Sequence, residues 1–330
     1  MKLTVLGPGC WGLTIAKLLN DNFDEICVWG REQDLTPSLL NNKKLEKPLE
    51  IQLDKKVQIT SDMELALKDA EIILLVVATS GIRPVCEQIK KIGLKDNQIL
   101  VNLSKGIELP SLKRMSEVVL EVLPDINFAV LSGPTLAREI IEGKPTLATV
   151  ASNDIEIAKK VQEKLNVSSL FRLYSSDDMI GVELGGSLKN VIAIASGFAH
   201  SMGLGDNLRG SLLTRGMAEM VRVGCALGAK AQTLYGLSGM GDLIATASSP
   251  YSRNFTVGSM IAKGKKIDDI LAELGSVAEG VKTSKALCEL ANKLGIDVPV
   301  SNAIYEAVYT DITPKEILDK LMNRKLKVED

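Results

Sequence analysis

Lys2-Leu3-Thr4-Val5-Leu6-Gly7-Pro8-Gly9-Cys10-Trp11-Gly12 reads as a short apolar strand running into a Gly-x-Gly-x-x-Gly turn, after which Leu13, Ile15, Ala16 and Leu19 fall at helical spacing. A bound dinucleotide requires glycine at these places. The first permits the tight turn, the second lets a pyrophosphate approach the backbone, and the third lets helix and strand pack closely, with the anion on the helix N-terminus. Glycines cluster in many turns, so it is the strand before and the helix after that give this cluster its meaning. Gly7, Gly9, Cys10, Trp11 and Gly12 are therefore the first cofactor-binding candidates.

Working outward, the same rhythm of apolar runs and helical stretches continues. Further strand candidates are Glu25 to Trp29, Val57 to Thr60, Ile72 to Val77, Ile99 to Asn102, Phe128 to Leu131, Thr146 to Val150 and Leu170 to Tyr174. Runs that are apolar throughout belong to strands covered on both faces. The expected class is α/β: a Rossmann-type doubly wound parallel sheet with helices on both faces. From about Asp177 the strand-like runs stop and long helical periodicity takes over, so residues 1–176 form the dinucleotide-binding domain and 177–330 an all-helical substrate-binding domain. Leu188, Val191, Ile192 and Ala195 mark the buried stripe of one of its helices. Gly203 to Gly210 and Pro250 to Asn254 read as surface loops, and Lys320 to Asp330 as a charged, frayed tail.

The carboxyl ends of the strands are where such a sheet binds ligands. The second strand ends in Trp29-Gly30-Arg31, and a guanidinium there suits a ribose 2′-phosphate. Glu32 follows and suits an unmodified ribose, so both NADP(H) and NAD(H) remain open. Other strand ends lead into Ala78-Thr79-Ser80-Gly81, Ser104-Lys105-Gly106 and Ser132-Gly133-Pro134-Thr135, and Lys105 is the one charged residue among these tips. Reduction of a ketone also needs a proton donor. His200, the single histidine, and a lysine of lowered pKa are the two alternatives. Among the lysines Lys189 stands out, in Glu183-Leu184-Gly185-Gly186-Ser187-Leu188-Lys189-Asn190, at the border of the apolar stripe beside two glycines that imply a close approach. Asp242 lies alone in the glycine-rich Gly239 to Leu243 and could hold it, while Ser252-Arg253-Asn254 presents a phosphate-matching fork.

The whole-chain numbers narrow the class. With 330 residues, 45% hydrophobic and 24% charged, the chain has the composition of an ordinary globular protein of two domains. A net charge of −2, without a basic stripe, argues against nucleic acid. No export signal or membrane-length apolar run is found. Five scattered cysteines without CxxC spacing argue against disulfides and metal, and for a reducing cytoplasm.

Taken in order, Gly7 to Gly12 with Trp11, Trp29-Gly30-Arg31, Ser104 to Glu108, Leu131 to Thr135, Glu183 to Asn190, Gly203 to Asn207, Gly239 to Leu243, Ser252-Arg253-Asn254 and Glu279-Gly280 closely resemble the bacterial-type NAD(P)-dependent glycerol-3-phosphate dehydrogenase family. That resemblance implies that Lys189 is the catalytic acid/base, with Lys105, Asp242 and Asn190 around the reacting carbon. It implies that Gly133, Thr135, Ser252, Arg253 and Asn254 join Lys105, Lys189 and Asp242 in holding dihydroxyacetone phosphate or sn-glycerol 3-phosphate. Cofactor contacts carried over are Cys10, Trp11, Arg31, Lys105, Ala137, Arg253, Val277 and Glu279. It further implies a homodimer, no metal, and a product that feeds phospholipid synthesis. Three departures stand out: Pro8 replaces the usual alanine, Cys10 the usual serine, and Ala78 to Gly81 a loop that typically contains proline. A 3-hydroxy-acid reductase and a cofactor-sensing module without chemistry are the alternative readings.

Overall fold

The computed structural model describes residues 1–274, 278–326 and 328–329. Its main sheet takes up β1 (Lys2–Leu6), β2 (Glu25–Trp29), β5 (Gln58–Thr60), β6 (Ile72–Leu75), β7 (Ile99–Asn102), β8 (Asn127–Ser132), β9 (Thr146–Ala151) and β10 (Phe171–Ser176), while β3 (Lys44–Leu45) and β4 (Ile51–Gln52) form a separate hairpin. All eight strands read from the sequence are present; the central β6 and β7 are apolar runs buried throughout, whereas the edge strands β5 and β10 expose Gln58, Arg172 and Tyr174. The hairpin went unread; two-residue strands leave no periodicity. The main sheet runs β10-β9-β8-β7-β6-β1-β2-β5, with β1 parallel to both β2 and β6. The order therefore reverses beside β1, which puts the ligand crevice at its carboxyl end.

One expectation fails here: the sheet is not wholly parallel. β9 pairs antiparallel with β8, and β10 follows β9. The β8–β9 connection carries just one five-residue helix, Ala137–Ile141, which rises about 7 Å and is too short to return the chain to the strand's start.

Around the sheet lie α1 (Cys10–Leu18), α2 (Pro37–Asn42), α3 (Met63–Leu67), α4 (Thr79–Ile92), α5 (Met115–Val122), α6 (Ala137–Ile141) and α7 (Ile155–Leu165). Alternate strand residues feed two cores: Leu3, Val5, Ile72 and Leu74 one, Leu6, Ile73 and Leu75 the other. The rest of the chain is helical: α8 (Met179–Ser201), α9 (Gly205–Ala226), α10 (Ala231–Leu234), α11 (Asp242–Ser248), α12 (Arg253–Ala262), α13 (Ile267–Leu274), α14 (Glu279–Leu294), α15 (Pro299–Tyr309) and α16 (Pro314–Met322). Its centre is α8, where 20 of 23 residues are buried. A helix apolar all round belongs in a core.

Three loop readings are corrected. Gly203 to Gly210 is a turn at Gly203 and Gly205, whose φ values are 68° and 75°, after which α9 simply continues through Gly210. In Pro250 to Asn254, Ser252 caps α12 by accepting from Phe255 N, so Arg253 and Asn254 open a helix. Ala78 to Gly81 likewise opens α4 at Thr79. The tail is ordered as helix as far as Met322, because Thr313 and Glu316 form a capping box for α16.

Candidate active site

The turn between β1 and α1 is built for an anion. Gly7 has φ +128°, and a Cβ on it would meet Val76 O at 2.5 Å; a Cβ on Gly12 would meet Gly7 O at 2.0 Å. Gly9 caps α1 without any side chain, the first turn carries no acid, and no atom lies within 4 Å of where its Cβ would be. The first-turn N–H groups thus face open space, which fits a pyrophosphate. Pro8 lies over Gly30, whose own Cβ would fall 2.5 Å from Pro8 Cγ. Burial pushes the Cys10 thiol above its ordinary pKa, while Arg253 and Arg138 pull it back. At the end of β2, Arg31 is exposed and gripped by Asp34 in a two-pronged ion pair of 2.7 and 2.9 Å.

Beyond β7 and β8 the two halves of the chain meet. Lys105 Nζ donates to Gly133 O (3.0 Å), to Thr135 Oγ1 (3.4 Å) and to Asp242 Oδ2 (2.7 Å). From the other side Lys189 Nζ donates to Asp242 Oδ1 (3.0 Å) and Thr246 Oγ1 (2.6 Å), and Thr246 Oγ1 in turn donates to the same oxygen at 3.1 Å. One carboxylate, 2% exposed, therefore bridges two ammoniums. Burial raises the Asp242 pKa, but Lys105 and Lys189 outweigh it and hold the acid ionised below its ordinary range. Burial lowers Lys189 to about 8, Asp242 opposing and Lys105 assisting.

Local sequence explains this convergence. A Cβ on Gly185 would sit 2.9 Å from Gly239 Cα, so the backbone of α8 touches the single π-turn Leu237–Gly241 that leads into α11. Asp242 at the start of α11 then lies level with Lys189, one turn further along α8. Lys189 is 6% exposed, deeper than the stripe border expected of it, since α8 has no solvent face there.

Two further clusters adjoin. Asn254 Nδ2 donates to Asn190 Oδ1 at 2.9 Å and Asn254 Oδ1 accepts from Gly280 N at 3.1 Å, which leaves one amide hydrogen for a ligand. Glu279, opening α14, accepts from Thr79 N (3.2 Å) and Thr79 Oγ1 (2.8 Å) across the cleft. Ala137 opens α6, behind Thr135.

Sequence reasoning missed Thr246, although an Asp-x-x-x-Thr spacing on one helix face was its signal. It also missed Glu183, fully buried, which accepts from Ser116 N (2.7 Å), Ser116 Oγ (2.6 Å) and Arg114 Nη1 (3.1 Å) and so pins α8 to α5. Val277 lies outside the described residues. His200 is exposed against Phe255 and bonds to none of these groups. A cavity of about 780 Å³ among α8, α9, α15 and α16 is bordered by none of the candidate site residues and is not this site. Among the described residues no helix is long and apolar enough to cross a membrane, and no acidic, histidine or cysteine cluster could hold a metal.

Residues 2–158 match the family model for the N-terminus of NAD-dependent glycerol-3-phosphate dehydrogenase, and 178–319 match that for its C-terminus. The chain is 42% identical over 332 residues to a glycerol-3-phosphate dehydrogenase [NAD(P)+] of Carboxydothermus hydrogenoformans, covering 100% of this chain and 98% of the relative. It is 40% identical over 334 residues to one of Enterococcus faecalis, covering 100% and 97%. The crystal structure of glycerol-3-phosphate dehydrogenase from Coxiella burnetii superposes with a TM-score of 0.90 at 31% identity, covering 98% of this chain and 99% of that one.

Proposed function

Since the chain belongs to the NAD-dependent glycerol-3-phosphate dehydrogenase family, whose two models match residues 2–158 and 178–319, we propose that the Lys189, Asp242 and Lys105 network is its reaction centre. The activity is that of an NAD(P)-dependent oxidoreductase on a CH–OH group, interconverting dihydroxyacetone phosphate and sn-glycerol 3-phosphate. When bound, the nicotinamide supplies or accepts a hydride at C2 of the substrate.

Lys189 then handles the matching proton. As an ammonium it protonates the oxygen that becomes the alcohol, and as an amine it takes that proton back in oxidation. A pKa of about 8 leaves both forms accessible near neutrality. Asp242 aims the Lys189 ammonium, and Thr246 fixes its remaining freedom. Lys105, Gly133 and Thr135 orient the carbonyl side, and Ser252, Arg253 and Asn254 hold the phosphate, with Asn190 steadying Asn254. The cofactor lies along Gly7, Gly9, Cys10, Trp11 and Gly12, with contributions from Arg31, Lys105, Ala137, Arg253, Val277 and Glu279. The boundary between cofactor and substrate domains falls between Ser176, the end of β10, and Asp177. A cytoplasmic homodimer that supplies the phospholipid backbone completes the assignment.

The observation that carries the reading is the single buried carboxylate shared by two lysines, one of them brought down to about 8. The test is NADPH and NADH oxidation with dihydroxyacetone phosphate, on wild type and Lys189→Ala, as a function of pH. Expected are a reduction rate that falls as pH rises through about 8, an oxidation rate that rises through it, and neither in the variant although it still binds cofactor. A variant that retains wild-type turnover removes Lys189 from the role.

A further inference from the structure

α6 packs against α1, with Ile141 sharing a core with Cys10 and Trp11. The second residue of α6 is Arg138, on the sheet half of the molecule. Its guanidinium carbon stands 4.5 Å over the ring centroid of Tyr251, which comes from the loop just before α12 on the helical half. Among the described residues no carboxylate pairs with Arg138 and no group accepts a hydrogen bond from it. Its planar face is occupied while its N–H edges remain unspent, and a guanidinium uses those edges for phosphate.

The position of that charge matters. Arg138 and Arg253 are the two cations whose field reaches the Cys10 thiol, at the first residue of α1. Both charges therefore lie within electrostatic reach of the N-terminus of α1, where Gly9 leaves room for an anion. Tyr251 is 63% exposed, and its ring carries the Arg138 guanidinium at the surface.

We propose that Arg138, stacked on Tyr251, is a further cofactor-binding residue: it closes over the pyrophosphate of the bound dinucleotide from the side opposite the glycine turn. The pair joins the two halves of the chain at the mouth of the cleft, so cofactor binding strengthens the contact between them. The inference rests on the assignment of the glycine turn as the cofactor site. It adds the residue that completes a three-sided cage of helix N-terminus, Arg253 and Arg138.

The test is direct titration of the intact protein with NADPH and with NADH, read by nicotinamide fluorescence, for wild type, Arg138→Met, Tyr251→Ala and Tyr251→Phe. A charge-assisted contact at a half-exposed site is worth about tenfold in affinity. Arg138→Met is expected to raise Kd by that factor for both cofactors and to flatten the salt dependence of binding, leaving KM for dihydroxyacetone phosphate unchanged at saturating cofactor. Tyr251→Ala is expected to raise both Kd values about threefold, and Tyr251→Phe, which keeps the ring, to restore them. A change below twofold in Arg138→Met overturns the proposal. So does an effect on NADPH alone, which would place the guanidinium at the 2′-phosphate. Failure of wild type to bind either cofactor would instead overturn the assignment of the cradle itself.

Discussion

Asp242→Asn perturbs the site where it carries the most load. The carboxylate accepts from Lys105 Nζ at 2.7 Å, Lys189 Nζ at 3.0 Å and Thr246 Oγ1 at 3.1 Å. Asparagine has the same shape but no charge, and its amide nitrogen donates, as both ammoniums do. One lysine then faces a donor, and the two cations confront each other with no anion between them. Removing one member of a buried ion pair costs about 3–5 kcal/mol, mostly as an uncompensated charge. The site can shed that cost by deprotonating Lys189, which burial and Lys105 already push downward and which Asp242 holds up at about 8. The loss should therefore emerge largely as a missing proton donor. If about 3 kcal/mol of it enters the barrier, the reduction rate at neutral pH falls roughly a hundredfold. The assay is steady-state NADPH oxidation with dihydroxyacetone phosphate from about pH 6 to 9, with cofactor affinity measured separately. Expected are a large loss at pH 7.5, a smaller one toward pH 6 as Lys189 regains its proton, and a cofactor Kd within about threefold of wild type. A loss below about fivefold, or one that is uniform across pH, would refute the account of Asp242 as the group that keeps Lys189 charged.

Three other outcomes follow from the same structure. Lys189 has a folded-state pKa of about 8 against an ordinary 10.5, so between those values the unfolded chain binds more protons and stability should rise with pH. Lys189→Met removes that contribution: the stability of wild type relative to the variant should climb by roughly 1 kcal/mol per pH unit across the window, and a flat difference in denaturant unfolding would count against the lowered pKa. Gly9→Ala and Gly12→Ala should separate binding from folding. Alanine at Gly9 meets no protein atom within 4 Å, so Tm stays at the wild-type value while cofactor affinity drops. Alanine at Gly12 collides with Gly7 O at 2.0 Å and should lower Tm as well; equal effects from both would refute the division of roles. Finally, Asp34→Ala releases the guanidinium of Arg31 from its two-pronged grip. The ratio of NADPH to NADH affinity should then increase by about threefold to tenfold, and an unchanged ratio in paired titrations would remove Arg31 from cofactor choice.

The sheet was legible because buried strands advertise themselves. Ile72, Ile73, Leu74 and Leu75 are all fully buried, alternate residues entering opposite cores, and so short an apolar run, partly β-branched and bounded by polar residues, fits a strand between two helical layers. Strand direction was not legible. Thr146 to Ala151 is as apolar as its neighbours, and the reversal at β9 depends on how far the chain travels between strands, which composition does not record. Helix starts failed for a related reason. Ser252 is a cap in sequence as well as in structure, yet Pro250 beside it reads equally well as a loop, and the local code cannot say where the loop ends.

The chemistry was legible one residue at a time and illegible as a site. Lys189, Lys105 and Asp242 each attracted notice as a charge in an apolar or glycine-rich setting. What makes them chemical is a separation in the chain: Asp242 lies 137 residues from Lys105 and 53 from Lys189, and meets both within 3.0 Å. Periodicity placed Lys189 at a stripe's edge because it assumes that a helix has a wet side. α8 has none over this stretch, since the sheet domain covers one flank through Gly186 beside Ser132, and α11 and α12 cover the other. That enclosure brings the lysine down to about 8 and so fits it for proton transfer. The same enclosure makes the glycines of α8 necessary: a side chain at Gly185 would force the π-turn away and carry Asp242 with it. The functional property of Lys189 is thus set less by the lysine than by what is allowed to approach it, and that information resides in three separated segments that become neighbours once the chain has folded.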